Sequence, residues 1–227
     1  TLPKFLLIES SGDVCSAAVS EDGKIIASKS ILEPNSHSTY LAGYIDDVLK
    51  KSSLGIKDLD AVVIGGGPGS YTGLRIGCSL AKGICFASDL PLISCSNLKA
   101  LAAAGFDKNQ YINRLICLID ARRMDAYLGV FDRREGDVIT EQFITIDEQL
   151  GVDYFGEDIG AVGNGAKKWL EEFEVSHIKN LEIPTIYAEY LLNEAMEKWE
   201  AKDFENIVSF EPNYIKSVFV TKPKPKF

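Results

Sequence analysis

Histidine is scarce in this chain, which contains only His37 and His177 among its 227 residues. The two histidines lie far apart in the sequence, and two are too few for a histidine-rich metal site. Long apolar runs are also missing, and no segment approaches the roughly 20 apolar residues that cross a membrane as a helix. The apolar run at 5–8 is too short for the core of a signal peptide and is typical of a buried strand. We therefore expect a cytoplasmic protein that makes no membrane contact.

Cysteine pairs with metal-binding or redox spacing are absent as well. The five cysteines are an odd number, include no CxxC pair and lie mostly inside apolar runs. We interpret them as small core residues in a reducing cytosol, with a disulfide framework as the alternative.

Positive charge is in short supply, with a formal net charge of -9 and an isoelectric point near 4.8. Binding of nucleic acid usually begins with a basic surface, so any contact with RNA is expected to be indirect. The exception is the proline-containing C-terminal stretch, which is either a solvated end or a tail that docks on a partner or touches RNA. Its basic residues are Lys216, Lys222, Lys224 and Lys226.

The order of strands and turns in the first half of the chain recurs in the second half. A buried strand ends at Glu9, and a hairpin with an Asp-Gly turn at 22–23 follows it. A second buried strand ends at Asp120, and again a strand, a glycine-containing turn and a strand follow. A tandem duplication explains this echo, and chance resemblance between two common α/β meanders is the alternative.

Apolar residues at helical spacing predict helices between these strands. The first spans about 38–51 and is capped by Ser36 or Ser38. The second spans about 71–87, and the third spans about 97–104 and ends at Gly105 as a C-cap. The second half has one long helix with an apolar stripe, formed by Ala188, Leu191, Leu192, Ala195 and Trp199.

The most informative stretch is the glycine-rich junction at 65–77, where a strand runs into the second helix. It lacks the Gly-Lys-Ser/Thr of a P-loop, and it lacks the third glycine of GxGxxG in either register. Free N–H groups at a helix start could nevertheless hold a phosphate. The structural alternative is close packing, because Gly73, Gly77 and Ala81 recur every four residues and form a smooth helix face.

The segment Gly-Pro-Gly-Ser-Tyr-Thr-Gly-Leu-Arg-Ile-Gly at 67–77 resembles the signature of the TsaB (YeaZ) family. Three further stretches, at 7–11, 119–123 and 211–215, agree with that family's pattern. The resemblance implies an α/β fold of the actin/Hsp70/sugar-kinase (ribonuclease H-like) type, with two duplicated lobes of mixed sheets flanked by helices. It places a first lobe at 1–105, a smaller second lobe at 106–205, and a C-terminal segment at 206–227 that packs back on the first lobe.

The resemblance also implies a function, as an accessory subunit that activates TsaD. TsaD transfers a threonylcarbamoyl group to the adenosine 3′ of the tRNA anticodon. The expected partners are TsaD in a heterodimer, TsaE in a larger complex, and a second copy of the chain when it is alone, with tRNA contacted only indirectly. A phosphotransferase of the same fold and, less favoured, a peptidase are the alternatives.

The sequence gives little sign of chemistry of its own. In TsaD an HxxxH pair binds a metal, but here Leu41 stands four positions after His37, so no metal is expected there. Related kinases keep acids where Glu9 and Asp120 stand, and the alternative is that each acid caps a turn or pairs with a nearby arginine. No cofactor is expected within the chain itself, although ATP or ADP at the partner interface remains open. The residues that could contact a nucleotide or phosphate are Glu9, Ser10, Ser11, Gly67, Gly69, Ser70 and Asp120.

The first helix is apolar over about half of its circumference, which is more than one core face needs. We therefore expect its tyrosines to reach an interface, with the second helix alongside, and the resemblance points to the same two helices. The predicted interface residues are His37, Tyr40, Tyr44, Gly73, Gly77 and Ala81.

Overall fold

The computed structural model describes residues 2–34, 36–147, 150 and 158–214. The basic residues of the C-terminal tail lie outside this range, as does Ile215 of the fourth family-like stretch. Among the described residues, no helix combines the length and the apolar character of a membrane span.

The first sheet has five strands in the order β3-β2-β1-β4-β5. The first three strands form the predicted antiparallel meander, and β4 and β5 extend the sheet in parallel beside β1. The Asp-Gly turn between β2 and β3 has positive φ at both residues, as a type I′ hairpin requires. The strands are β1 (Phe5–Glu9), β2 (Val14–Glu21), β3 (Lys24–Leu32), β4 (Ala61–Gly65) and β5 (Leu92–Cys95).

The second sheet repeats this plan, with the order β8-β7-β6-β9-β10. Its first three strands are antiparallel, and β9 and β10 are parallel to β6. The predicted echo between the two halves is therefore confirmed at the level of topology. The strands are β6 (Arg114–Asp120), β7 (Asp125–Asp132), β8 (Gly136–Thr145), β9 (Ile159–Val162) and β10 (Lys179–Asn180).

Helices cover both faces of the sheets, as a layered α/β fold requires. Helices α1 and α2 pack on the outer face of the first sheet, and α4 packs on the outer face of the second sheet around the buried Trp169. The helices are α1 (His37–Ser52), α2 (Tyr71–Ser88), α3 (Asn97–Lys108), α4 (Asn164–Glu172) and α5 (Leu192–Ala201), with short 3-10 turns at Ile56–Asp58 and Ala188–Leu191.

The two halves exchange helices across the central core. Helix α3 follows the first sheet in sequence but packs on β6, β7 and β9 of the second sheet. The 3-10 turn and α5 follow the second sheet but pack on the first sheet, through β1, β2, β4 and β5. The lobe boundary expected at residue 105 therefore falls inside α3, and one core cluster contains residues from both sheets.

Two helix ends differ from the sequence-based prediction. The prediction that Gly105 ends α3 is wrong, because the helix continues to Lys108. Gly105 serves close packing instead, since a Cβ there would lie 2.7 Å from Leu115 Cδ1. The long helix predicted from Ala188 starts as a 3-10 turn and becomes α-helical only at Leu192.

Candidate functional site: a glycine-rich junction and the helix pair beside it

The junction between β4 and α2 is held by hydrogen bonds that its own N–H groups donate to the Ser11 carbonyl after β1 and to the Cys95 carbonyl at the end of β5. The Ser70 N–H donates to the Ser11 carbonyl over 2.7 Å, and the Ser70 hydroxyl caps α2 by accepting from the Gly73 N–H over 3.3 Å. Gly66 N–H donates to the Cys95 carbonyl over 2.8 Å. Three N–H groups of the junction, those of Gly66, Ser70 and Gly73, are thus already used within the chain.

Carbonyl oxygens of the chain itself face the two glycines that were candidates for phosphate binding. A Cβ on Gly69 would lie 2.7 Å from the Ser11 carbonyl oxygen, and one on Gly67 would lie 2.8 Å from the Asn213 carbonyl oxygen. Neither position has room for a side chain, and the phosphate contact predicted for Gly67 and Gly69 stays a prediction.

The small-residue face of α2 packs against the end of β1. A Cβ on Gly73 would lie 2.0 Å from the Ser10 carbonyl oxygen, and one on Gly77 would lie 2.3 Å from Ser10 Oγ. The Ser10 hydroxyl donates to the Gly73 carbonyl over 2.9 Å, and Ala81 is fully buried. Close backbone packing is confirmed, and the assignment of Gly73, Gly77 and Ala81 to a partner interface is wrong because this face lies inside the first lobe.

Both candidate acids cap turns. Glu9 Oε1 accepts from the Ser11 N–H over 2.5 Å, and its side chain is buried. The Asp120 carboxylate accepts from the Arg122 N–H over 3.2 Å and from Lys168 Nζ over 3.0 Å. Both acids therefore have the turn-capping contacts that were the alternative to a nucleotide site. Asp120 also pairs with a lysine rather than with an arginine.

The two tyrosines of α1 reach the surface. Tyr40 is 37% exposed and stacks on the half-buried Tyr44, with 5.8 Å between ring centroids. Lys29 Nζ lies 4.7 Å from the Tyr44 ring. His37, by contrast, is only 6% exposed, and its Nε2 lies 3.2 Å from the Val14 carbonyl oxygen. Burial lowers the pKa of His37.

A groove of about 760 Å³ separates α1 from α2. At one end the Arg75 guanidinium lies 4.2 Å from the Tyr71 ring, and the Tyr214 ring packs on Tyr71 with 4.9 Å between centroids. Most side chains that line the groove are either small or apolar. The lining residues are His37, Ser38, Leu41, Ala42, Tyr71, Thr72, Arg75, Ile76, Ser79 and Leu80.

Each helix of this pair also presents a glycine to solvent. A Cβ on Gly43 of α1 or on Gly83 of α2 would meet nothing within 4 Å. Glycine in a helix interior costs about 1 kcal/mol relative to alanine, and the packing of this chain gives no reason for that cost. Phe86, three residues beyond Gly83 on α2, is 85% exposed.

Three polar residues that the sequence did not identify as site residues form hydrogen bonds around the glycine-rich junction. Asn97 donates from its N–H to the Gly67 carbonyl and from Nδ2 to the Pro68 carbonyl, each over 2.9 Å. Asn213 N–H donates to the Gly66 carbonyl over 2.8 Å, and its side-chain amide donates to Glu141 of β8. The only signal was that Asn213 lies in the last family-like stretch. Nothing in the sequence marked Asn97 or Glu141.

The TsaD family model, described as tRNA N6-adenosine threonylcarbamoyltransferase, matches residues 31–216. The chain belongs to this family. Within it the resemblance to TsaB is also confirmed, because the tRNA threonylcarbamoyladenosine biosynthesis protein TsaB of Haemophilus influenzae is 28% identical over 232 residues. That match covers 97% of each chain.

Solved structures agree with the family assignment. YeaZ from Pseudomonas aeruginosa has a TM-score of 0.83 and 25% identity, and the match covers 94% of this chain and 100% of that one. The activator of 2-hydroxyisocaproyl-CoA dehydratase from Clostridium difficile, solved with bound ADPNP, has a TM-score of 0.50 and 14% identity. That match covers 89% of this chain and 98% of the activator and concerns the fold alone. The expected two-lobed actin/sugar-kinase-like fold is confirmed.

Proposed function

We propose that this chain is a non-catalytic subunit that binds and activates a TsaD-type transferase in the synthesis of N6-threonylcarbamoyladenosine on tRNA. The name of its H. influenzae relative supports the assignment to this modification. The proposal of a partner-binding role rests on one observation, which is the exposed surface of α1 and α2 with its two unexplained glycines.

The exposed glycines favour an interface because they allow another backbone to approach. Gly43 and Gly83 have open space where a side chain would stand, so neither is needed for packing within the chain. A partner helix lying across these positions would gain contacts that a Cβ would block. The destabilisation of the free helices is then the cost of a surface shaped for a partner.

The side chains around the groove suit protein binding. Aromatic residues and arginine are enriched at the centres of interfaces, and this surface presents Tyr40, Tyr71, Arg75 and Phe86. We propose that TsaD occupies this surface and that a second copy of the chain pairs there when TsaD is absent. TsaE joins the larger complex, and tRNA is contacted through TsaD.

The surroundings of His37 support an accessory role. Its ring nitrogen faces the Val14 carbonyl, and the residue four positions later, Leu41, is apolar and buried. A metal pair like that of TsaD cannot be built from these two side chains. We propose that any ATP or ADP lies at the interface with the partner.

The deciding experiment is threonylcarbamoyl transfer to tRNA by the cognate TsaD, supplied with the other pathway components, with and without this chain. We expect transfer to depend on the chain and the chain alone to be inactive. Transfer that is indifferent to the chain would refute the proposal and favour an independent nucleotide-dependent enzyme.

Variants locate the binding surface. Gly83→Leu, and separately Tyr40→Glu with Tyr44→Glu, should abolish association with TsaD and transfer while leaving the chain folded. Ala201→Leu is the matched control, because it adds a leucine at an exposed position on α5, on the opposite face of the first sheet. Equal loss with the control variant, or no loss with Gly83→Leu, would remove this surface from consideration.

A further inference from the structure

Two buried oxygen atoms beside Gly65 have no hydrogen-bond donor among the described residues. They are Oε2 of Glu9, whose side chain is 1% exposed, and Oδ1 of Asn97, whose side chain is fully buried. A buried acceptor without a donor destabilises the folded chain, and it does so more strongly when it is charged. Two such atoms in one place require an explanation.

The two oxygens border the same small space. An ideal Cβ on Gly65 would lie 1.8 Å from Glu9 Oε2 and 2.6 Å from Asn97 Oδ1. Both distances are measured from the same ideal Cβ position. The distance between Glu9 Oε2 and Asn97 Oδ1 therefore cannot exceed the sum of these two distances. Only a residue without a side chain can stand at position 65 and let them approach in this way.

The orientation of the Asn97 amide is set by its other hydrogen bond. Asn97 Nδ2 donates to the Pro68 carbonyl over 2.9 Å. Reversing the amide would offer Glu9 a donor, but it would also turn Oδ1 toward the Pro68 carbonyl, so one conflict between acceptors would replace another. A hydrogen atom placed between Glu9 and Asn97 resolves the conflict without creating a new one.

We propose that Glu9 is a protonated, neutral carboxylic acid in the folded chain and that it donates its O–H to Asn97 Oδ1. A single proton then links the end of β1 to the start of α3, and through Asn97 to the carbonyls of Gly67 and Pro68. The hydrogen bond from Glu9 to Asn97 thereby helps to hold the glycine-rich junction in place, and it exists only while the Glu9 carboxyl group is neutral.

The electrostatic surroundings agree with this assignment. Burial raises the pKa of Glu9 to about 7, and hydrogen bonds from the Ser11 hydroxyl, the Ser11 N–H and the Ser10 N–H offset only part of that effect. The titratable groups that face Glu9 are the thiols of Cys15 on β2 and Cys95 on β5, and burial raises the pKa of both. Both thiols are therefore neutral near pH 7. No cation within the described part of the chain contributes to the Glu9 pKa.

The experiment is a carboxyl carbon-13 NMR titration of the full chain labelled at glutamate, with the Glu9 signal assigned by its loss in Glu9→Gln. We expect Glu9 to titrate more than two pH units above the ordinary glutamate value of 4.5, and the amide signals of Gly67 and Gly69 to shift with the same midpoint. In Glu9→Gln, whose amide can donate to Asn97 Oδ1, those amide signals should be independent of pH. Glu33→Gln is the control and should retain the shifts.

Titration of Glu9 at or below the ordinary glutamate value of 4.5 would overturn the proposal, because the acid would then be ionised near pH 7 and Asn97 Oδ1 would have no donor. Glycine amide shifts that persist in Glu9→Gln would also overturn it. Neither measurement involves TsaD or tRNA, so the outcome is independent of the function proposed above.

Discussion

Ser10 and Gly73 are in direct backbone contact, because a Cβ on Gly73 would come within 2.0 Å of the Ser10 carbonyl oxygen. Neither atom can move easily, since Ser10 follows β1 and Gly73 lies in the first turn of α2. Gly73→Ala should therefore force β1 and α2 apart and lower the free energy of unfolding by about 3 kcal/mol. Urea denaturation measures this loss. A loss below about 1 kcal/mol would show that the helix can shift freely.

Gly83→Ala should have the opposite effect on stability. The added methyl group meets nothing within 4 Å, so the helix should gain about 0.5–1 kcal/mol from the better propensity of alanine. On the proposed function, the same substitution should weaken association with TsaD. Denaturation and a binding titration on the same sample test both effects. A stabilised variant with unchanged affinity would mean that no backbone approaches Gly83.

Asp120→Asn should change stability by less than about 1 kcal/mol, because the ion pair with Lys168 is partly exposed. Its Arg122 N–H bond survives, since an asparagine oxygen can also accept it. We expect no change in TsaD-dependent transfer. ATP hydrolysis that the isolated wild-type chain shows and the Asp120→Asn variant lacks would instead assign Asp120 to a nucleotide site.

The stability of the chain should depend on pH through Glu9. Its pKa rises from 4.5 to about 7 on folding, so its contribution is fully present below pH 4.5 and is lost as pH rises through 7. The full loss is on the order of 3 kcal/mol. Glu9→Gln should remove this pH dependence and be more stable than the wild type at pH 8.5. Unfolding free energies at pH 5.5 and 8.5 test the prediction, with Glu33→Gln expected to follow the wild type.

Local patterns in the sequence predicted most of the elements. The Asp22-Gly23 turn and the repeated strand, acid and hairpin order were sufficient for both meanders, because turn chemistry and strand periodicity act over a few residues. The end of α3 was mispredicted at Gly105 for a different reason. A glycine that ends a helix and a glycine that admits Leu115 look the same until the neighbouring strand is known.

The direction of helix faces was harder to predict. The small residues Gly73, Gly77 and Ala81 correctly predicted a close-packing surface. Their spacing does not indicate whether that surface packs against the same chain or against another chain. Likewise the apolar residues of α3 and α5 did not reveal which sheet each helix would cover, because burial against either sheet satisfies them equally. The buried pair of Glu9 and Asn97 depends on this tertiary arrangement and was not predictable.

Because α3 and α5 are exchanged between the sheets, the two topological repeats do not correspond to two separable units. A fragment cut between them would lose a helix that belongs to its own core and keep a helix that belongs to the other. Each fragment would expose apolar surface that is covered by the other half in the intact chain. The two halves therefore depend on each other, and we expect them to melt in one cooperative event and to recover their structure only when both are present.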